Sequence, residues 1–221
     1  MTLHDFFLSA LGDDIEGQKK IFSLNDESRR LTVYESEASG TITFGFYCTK
    51  GNIFPPSKDW RENFKAWKKD FSVCSVKIKA HAGFVEEYMT LRNDVHNVMR
   101  EHHPLSVNVV GYSQGGAHAA LAYRDIVYNF PKTHVTGTTF GAPRVYGLAG
   151  AKEFEETRNK RNEYFVRFVN QGDPVPSVPP FIIPFLYKHV GRQSKLADNG
   201  WLSLPDIRAH LPESYYESTK S

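Results

Sequence analysis

Val107-Asn108-Val109-Val110-Gly111-Tyr112-Ser113-Gln114-Gly115-Gly116-Ala117-His118-Ala119-Ala120-Leu121 opens as a β-branched apolar run. It passes through Gly-x-Ser-x-Gly and continues as an Ala-rich segment of helix formers. That order predicts a buried strand, a sharp turn at Ser113, and a helix from about residue 115 to residue 129. A serine at such a turn is held in a strained backbone conformation with its hydroxyl pointing out. Side chains two positions away would collide there, and Gly111 and Gly115 remove them. The helix that follows aims free N–H groups and a partial positive charge at the space beside the hydroxyl, where an oxyanion would form.

On either side of this stretch, apolar periodicities alternate between strand and helix. Residues 76–80 predict a strand. Residues 84–101 carry Val85, Tyr88, Leu91, Val95, Val98 and Met99 at helical spacing. Residues 134–140 predict a strand, 149–159 a helix and 164–170 another strand. Such alternation implies right-handed crossovers and a largely parallel sheet. Chemistry then collects beyond the carboxyl ends of the strands, where Ser113 and Asp173 both lie. Residues 30–35 and 41–47, separated by Ser39-Gly40, predict an antiparallel pair at the sheet edge or entrance. Residues 1–28 read as a polar covering segment that begins with an amphipathic helix. Residues 50–58 read as a loop, and a short helix capped by Asp59 is expected through Trp60, Phe64 and Trp67. The 221 residues contain no internal repeat, linker or low-complexity tract, so one domain over residues 1–221 is expected.

Composition narrows the function classes. The formal net charge is +2, and no basic stripe with interleaved aromatics marks a nucleic-acid partner. Lys65, Lys68 and Lys69 near Trp60 and Trp67 read as a solvated helix face. Aromatic residues make up 14%, which suits a packed core together with an apolar binding surface. Cys48 and Cys74 stand in no metal-ligand spacing, and reduced thiols are expected. No metal and no cofactor are expected. The opening segment has no Lys or Arg ahead of a short apolar run, so it is a poor signal peptide; a cytoplasmic location is expected, or secretion if a leader was removed. No apolar run approaches the ~20 residues of a membrane span.

A serine hydroxyl is a weak nucleophile near neutral pH. It needs an imidazole base, and the imidazole needs a carboxylate to fix its tautomer and stabilise its cation. On an α/β-hydrolase scaffold these follow the serine in the order acid, then histidine. Asp173, in Val169-Asn170-Gln171-Gly172-Asp173-Pro174, ends an apolar strand; the residues alone fit a catalytic carboxylate and an ordinary Asx-Pro turn equally. Two histidines lie downstream. His189 falls inside an expected strand, where a structural imidazole is common. His210 precedes a short C-terminal helix, and its loop position favours it as the base. His96, His102 and His103 fall on or after an exposed helix, His118 is expected to pack or face solvent, and His81 is expected to brace a loop.

Gly111-Tyr112-Ser113-Gln114-Gly115-Gly116 resembles the elbow of the class 3 lipases, a branch of the α/β-hydrolases. Further landmarks follow in order. His81-Ala82-Gly83-Phe84 is similar to the family's His-x-Gly-Phe, and Thr139-Phe140-Gly141-Ala142-Pro143-Arg144-Val145 to its Thr-Phe-Gly-x-Pro-Arg-Val. Residues 169–176 match its acid motif, and residues 187–191 and 210–216 its last two landmarks. The set spans about residues 41–216. The resemblance implies a single-domain α/β-hydrolase fold, a mostly parallel central sheet flanked by helices, and a triad of Ser113, Asp173 and His210. It also implies an oxyanion hole from Thr49 and the Gln114 backbone N–H. Phe46-Tyr47-Cys48-Thr49 stands where the family has Phe-Arg-Gly-Thr, and Ala209 where an Asp often precedes the histidine.

The implied activity is hydrolysis of carboxylic esters, of acylglycerol or related lipid type, through an acyl-enzyme. Sister specificities on phospholipid (the A1 position), feruloyl or thioester substrates would use the same triad. A non-catalytic lipid-binding relative is the other class. The expected partners are a lipid or small ester substrate and transient contact with lipid surfaces. Tyr112, Val178, Phe181, Ile182 and Phe185 are the expected substrate-binding residues, the last four as an acyl wall in the apolar, Pro-rich stretch after Asp173. Residues 50–63 lie where the family carries a lid.

Overall fold

The computed structural model describes residues 1–26, 30–47, 67–73, 76–179, 181, 186–196 and 205–220. The first helix, α1 (Leu3–Leu11), starts at a reciprocal cap: the Thr2 hydroxyl accepts from the Asp5 N–H, and the Asp5 carboxylate accepts from the Thr2 N–H. It stops at Gly12 in the left-handed conformation (φ 80°). Three strands follow, β1 (Gln18–Asn25), β2 (Arg30–Ser36) and β3 (Ile42–Phe46), then β4 (Lys68–Phe71) and β5 (Ile78–His81). The long helix α2 (Ala82–His102) leads to β6 (Ser106–Tyr112), α3 (Gln114–Asn129) and β7 (His134–Phe140). After β8 (Tyr146–Gly147), α4 (Leu148–Lys160) and β9 (Phe165–Val169) come β10 (Tyr187–Lys188), β11 (Arg192–Lys195) and α5 (Pro212–Thr219).

The central sheet has the order β1-β2-β3-β6-β7-β9-β11. From β3 onward every neighbouring pair is parallel, and β1-β2-β3 is antiparallel. This is the expected mostly parallel sheet with helices on its faces. β6 is buried on both faces, which explains its near-continuous apolar sequence. Val107 and Val109 face the larger core, shared with Phe84, Val85, Tyr88 and Leu91 of α2 and Leu121 of α3. Val110 and Tyr112 face a second cluster built from Phe7 of α1, Phe140 and Tyr215.

Four expectations are corrected. The covering segment 1–28 contains a strand, β1, which a bulge at Ile21 conceals: Lys20 pairs with Tyr34 while Phe22 pairs with Val33, so the alternation breaks. The β2–β3 pair therefore lies inside the sheet, not at its edge. Second, β5 does not join the central sheet; it belongs to a separate antiparallel sheet of order β10-β8-β5-β4. Third, Lys68 and Lys69 lie on the strand β4, not on a helix face, and Lys69 pairs with Glu86 at 2.9 Å. Fourth, His96 is buried, not exposed. Its Nε2 lies 2.9 Å from Oδ2 of Asp125, a fully buried carboxylate that also accepts from Tyr88 at 2.7 Å and Arg92 at 2.9 Å. Burial pushes the Asp125 carboxyl up, but these donors outweigh it and hold it below the usual carboxylate range. The expected helix after Asp59, the lid at 50–63, Cys48 and Cys74 lie outside the described residues.

Candidate active site

Ser113 sits between β6 and α3 with φ 55° and ψ −126°, a conformation that costs a non-glycine residue about 1–3 kcal/mol. Neighbouring backbone fixes it: the Ser113 N–H donates to the Phe140 carbonyl at 2.8 Å, and the Ser113 carbonyl accepts from the Gly116 N–H at 2.9 Å. Both bracketing glycines are required by space. A Cβ at Gly111 would come within 2.1 Å of the Gly115 carbonyl oxygen, and a Cβ at Gly115 within 2.1 Å of the Phe46 carbonyl oxygen. Gln114 is the first residue of α3, so its N–H is one of the donors that find no carbonyl partner inside the helix.

The structure brings Ser113, His210 and Asp173 together at the carboxyl ends of β6 and β9. The Ser113 hydroxyl lies 2.8 Å from His210 Nε2, and His210 Nδ1 lies 2.8 Å from Asp173 Oδ2. His210 is fully buried. It ends a single helical turn, Ile207–His210, not an open loop, and this turn is capped by the Asp206 side chain. A hydrogen bond from the Asp206 N–H to the Gly172 carbonyl at 2.9 Å ties that turn to the acid loop.

The Asp173 carboxylate is held by three partners among the described residues. Its Oδ1 accepts from the Val175 N–H at 2.8 Å, and Oδ2 accepts from the Tyr215 hydroxyl at 2.7 Å as well as facing His210. Tyr215 is almost fully buried. Burial and the adjacent Asp173 charge push its phenol far above the usual range, so it stays a donor. Asn170 closes the arrangement: its N–H donates to the Tyr215 hydroxyl at 3.1 Å, and its side-chain amide donates to the Ala209 carbonyl at 3.1 Å. Tyr215 and Asn170 were absent from the expected site residues. The signal was a tyrosine five positions after His210, on a helix that starts at Pro212 and turns one face back toward the acid loop.

Tyr215→Phe is therefore expected to act twice. It removes a donor from a buried carboxylate and should lower kcat roughly 10-fold, equivalent to about 1.4 kcal/mol. It also leaves the Asn170 N–H unpaired, costing about 1–3 kcal/mol of stability. Rates on a soluble ester and a thermal unfolding curve read the two effects separately.

The other expected residues are distributed as follows. Tyr112 does not stand on an open wall: it is 2% exposed, its hydroxyl donates to the His210 carbonyl, and its ring stacks on the imidazole at 5.3 Å. It braces His210 from behind, because as the last residue of β6 it points into the second core cluster. Val178 is half-buried and Phe181 is 53% exposed. The segment before Phe181 is clamped by Arg144, whose N–H donates to the Val178 carbonyl at 2.8 Å and whose guanidinium reaches the Ser177 and Pro179 carbonyls. Thr49, Ile182 and Phe185 lie outside the described residues.

The serine hydroxyl is met by His210, and His189 is engaged elsewhere. Its Nε2–H donates to the Pro176 carbonyl at 2.7 Å, and burial beside Arg167 pushes its pKa down to about 3. His81 is 1% exposed and stacked on Phe84, with its pKa pushed down to about 4 by burial. Its ring nitrogens have no partner among the described residues, so the imidazole does not brace a loop through a side-chain bond there; its backbone N–H does, through the Val145 carbonyl at 2.9 Å. His118 packs inside and bonds Glu87 at 3.0 Å.

The family described as Lipase (class 3) matches residues 49–182, more than half of the chain. A lipase of Rhizopus niveus is 36% identical over 119 residues, which is 51% of this chain and 29% of that protein. A chloroplastic phospholipase A(1) of Arabidopsis thaliana is 31% identical over 113 residues, 46% of this chain and 24% of that protein. These matched stretches thus span less than a third of either relative. Among solved structures, lipase II of Rhizopus niveus superposes with a TM-score of 0.67 at 28% identity, covering 81% of this chain and 67% of that one.

Proposed function

The chain belongs to the class 3 lipase family and has its α/β-hydrolase fold, and from that premise we propose that it hydrolyses carboxylic esters of lipids through a covalent acyl-serine. The observation that carries the reading is the unbroken relay from Ser113 Oγ through His210 to Asp173, with both contacts at 2.8 Å. In this reading, the Ser113 oxygen attacks the acyl carbon while Nε2 of His210 takes its proton. The imidazolium so formed carries its second proton on Nδ1, toward Asp173. The carbonyl oxygen becomes an oxyanion, held by the Gln114 N–H at the start of α3 and by Thr49. As the tetrahedral intermediate collapses, the bond to the alkoxide breaks and Nε2 returns the proton to the leaving alcohol. Water, deprotonated by the same nitrogen, then attacks the acyl-serine and releases the acid.

Val178 and Phe181 would contribute to the acyl side, and contact with a lipid surface would bring substrate to it. The Arabidopsis relative, named a phospholipase A(1), makes the sn-1 ester of a phospholipid the second reading. Two measurements test the proposal. An alkyl fluorophosphonate should label Ser113 stoichiometrically. Hydrolysis rates should rise along a series of p-nitrophenyl esters of increasing chain length, with a diacylglycerol and a phosphatidylcholine run beside them. Turnover of the glycerides alone selects the first reading and turnover of the phospholipid the second. Failure of Ser113 to label, with no ester turned over, leaves the lipid-binding alternative.

A further inference from the structure

The start of α3 is also tied to the neighbouring helix α2. Glu87, on the second turn of α2, reaches across to α3 with one carboxylate oxygen. That oxygen accepts from the side-chain amide of Gln114 and, at 3.0 Å, from Nε2–H of His118. Gln114 and His118 are one turn apart on the same helix face. Glu87 therefore staples the first turn of α3, the turn whose N–H groups have no carbonyl partners inside the helix. The staple is itself held: the His118 side chain is 7% exposed, with its ring edge-on to both Phe46 and Phe84 at 6.5 Å.

The two helices do not need this contact to stay together. Further along the same pair, Tyr88, Arg92 and His96 of α2 already converge on Asp125 of α3. The Glu87 contact differs in position, because it lands on the residue that follows the nucleophile. Resting on the reading of Ser113 and Gln114 given above, we propose that Glu87 is a positioning residue for the oxyanion hole, acting through the side chain of Gln114 to fix where the Gln114 N–H points.

The charge of Glu87 pulls the other way. A carboxylate beside the N-terminus of a helix weakens the positive potential available to an oxyanion. The tether and the charge therefore predict opposite results for a variant that loses both. Glu87→Ala removes both; Glu87→Gln keeps an acceptor for the Gln114 amide and removes only the charge. If the tether is what matters, Glu87→Ala lowers kcat on a soluble ester about 10-fold with KM little changed, less than loss of the donor itself would cost. Glu87→Gln then keeps at least the parental kcat.

The structural alternative is separated by a boronic acid inhibitor, whose tetrahedral adduct places an oxygen where the oxyanion would sit. Its affinity should fall with kcat in Glu87→Ala and be restored in Glu87→Gln. Should Glu87→Ala not fold, Gln114→Met cuts the same tether from the other end and is expected to show the same loss. The proposal is overturned if the Ala variant keeps parental kcat, if Gln fails to rescue it, or if kcat falls while inhibitor affinity does not. Ser113→Ala is run in parallel. A Ser113→Ala chain that still turned over the ester would overturn the serine-hydrolase reading and this inference with it. An inactive Ser113→Ala beside a fully active Glu87→Ala overturns the inference alone.

Discussion

Replacing His210 with alanine is expected to lower kcat on a soluble ester by about 10⁶-fold. The size follows from what the imidazole is placed to do. It lies 2.8 Å from the Ser113 hydroxyl and 2.8 Å from Asp173, with no exposed surface, so water has no ready route to replace it as a base. Ser113→Ala should cost about as much, and the double variant little more, because parts of one relay are not additive. Asp173→Asn should cost about 10⁴-fold, since the amide leaves the serine and base in place but holds the wrong tautomer. His189→Ala is the comparison that makes the assignment specific. His189 spends its Nε2–H on the Pro176 carbonyl, and its activity cost should be negligible even where its unfolding temperature drops. A chain in which His189→Ala abolished turnover and His210→Ala did not would reverse the assignment. Initial rates with p-nitrophenyl butyrate, together with circular dichroism to show that each variant is folded, give the answer.

The relay was legible in two steps: each member sits at a local discontinuity, and the family resemblance separated Asp173 from an ordinary Asx-Pro turn. Ser113 interrupts an apolar strand between two glycines, Asp173 ends another strand ahead of a proline, and His210 precedes a helix that begins at Pro212. What surrounds them was less legible, for reasons of geometry. Tyr112 is adjacent to the nucleophile in sequence, but strand alternation turns it 180° away into the core, where it backs His210 instead of meeting substrate. Tyr215 acts through a hydrogen bond to Asp173, and Asn170 through bonds to Tyr215 and the Ala209 carbonyl; the helix start at Pro212 is the one mark of that pairing in the sequence. Glu87 lies on a helix with several acidic residues and is distinguished only by which of them faces α3. Three of the strands that escaped notice share another cause. β1, β4 and β11 are edge strands rich in Lys, Arg and Gln, and the polar side chains that keep an edge from pairing with other chains also erase the alternation that would reveal it. Sequence reading thus reached the parts that fold around the nucleophile. It missed the supports whose meaning depends on a contact 27 or more positions away.

Gly115→Ala should separate position from chemistry, because it removes no functional group at all. An added Cβ would lie 2.1 Å from the Phe46 carbonyl oxygen, 2.5 Å from its carbon and 2.9 Å from Tyr47 Cα. All three are backbone atoms at the end of β3, and β3 is fixed on both sides by β2 and β6, so they cannot move aside as a side-chain tip would. The helix must back away instead. Alanine gains about 1 kcal/mol of helix propensity over glycine, against an overpacking cost of about 1–3 kcal/mol in a close-packed core. The clash wins, but only modestly, so the variant should fold with an unfolding temperature a few degrees lower, at roughly 2–4 °C per kcal/mol for a chain of this size. Activity should suffer far more. Any retreat of α3 carries Ser113 and Gln114 with it, and a misplacement of about 1 Å at reacting atoms costs on the order of 10²-fold. Gly111→Ala meets the same wall from the other side, since its Cβ would lie 2.1 Å from the Gly115 carbonyl oxygen. The expected signature is a small loss of stability with a large loss of kcat. Equal and small losses of both would mean that the helix start yields without moving the nucleophile, and the close approach of β3 to α3 would then have no part in setting the serine's position.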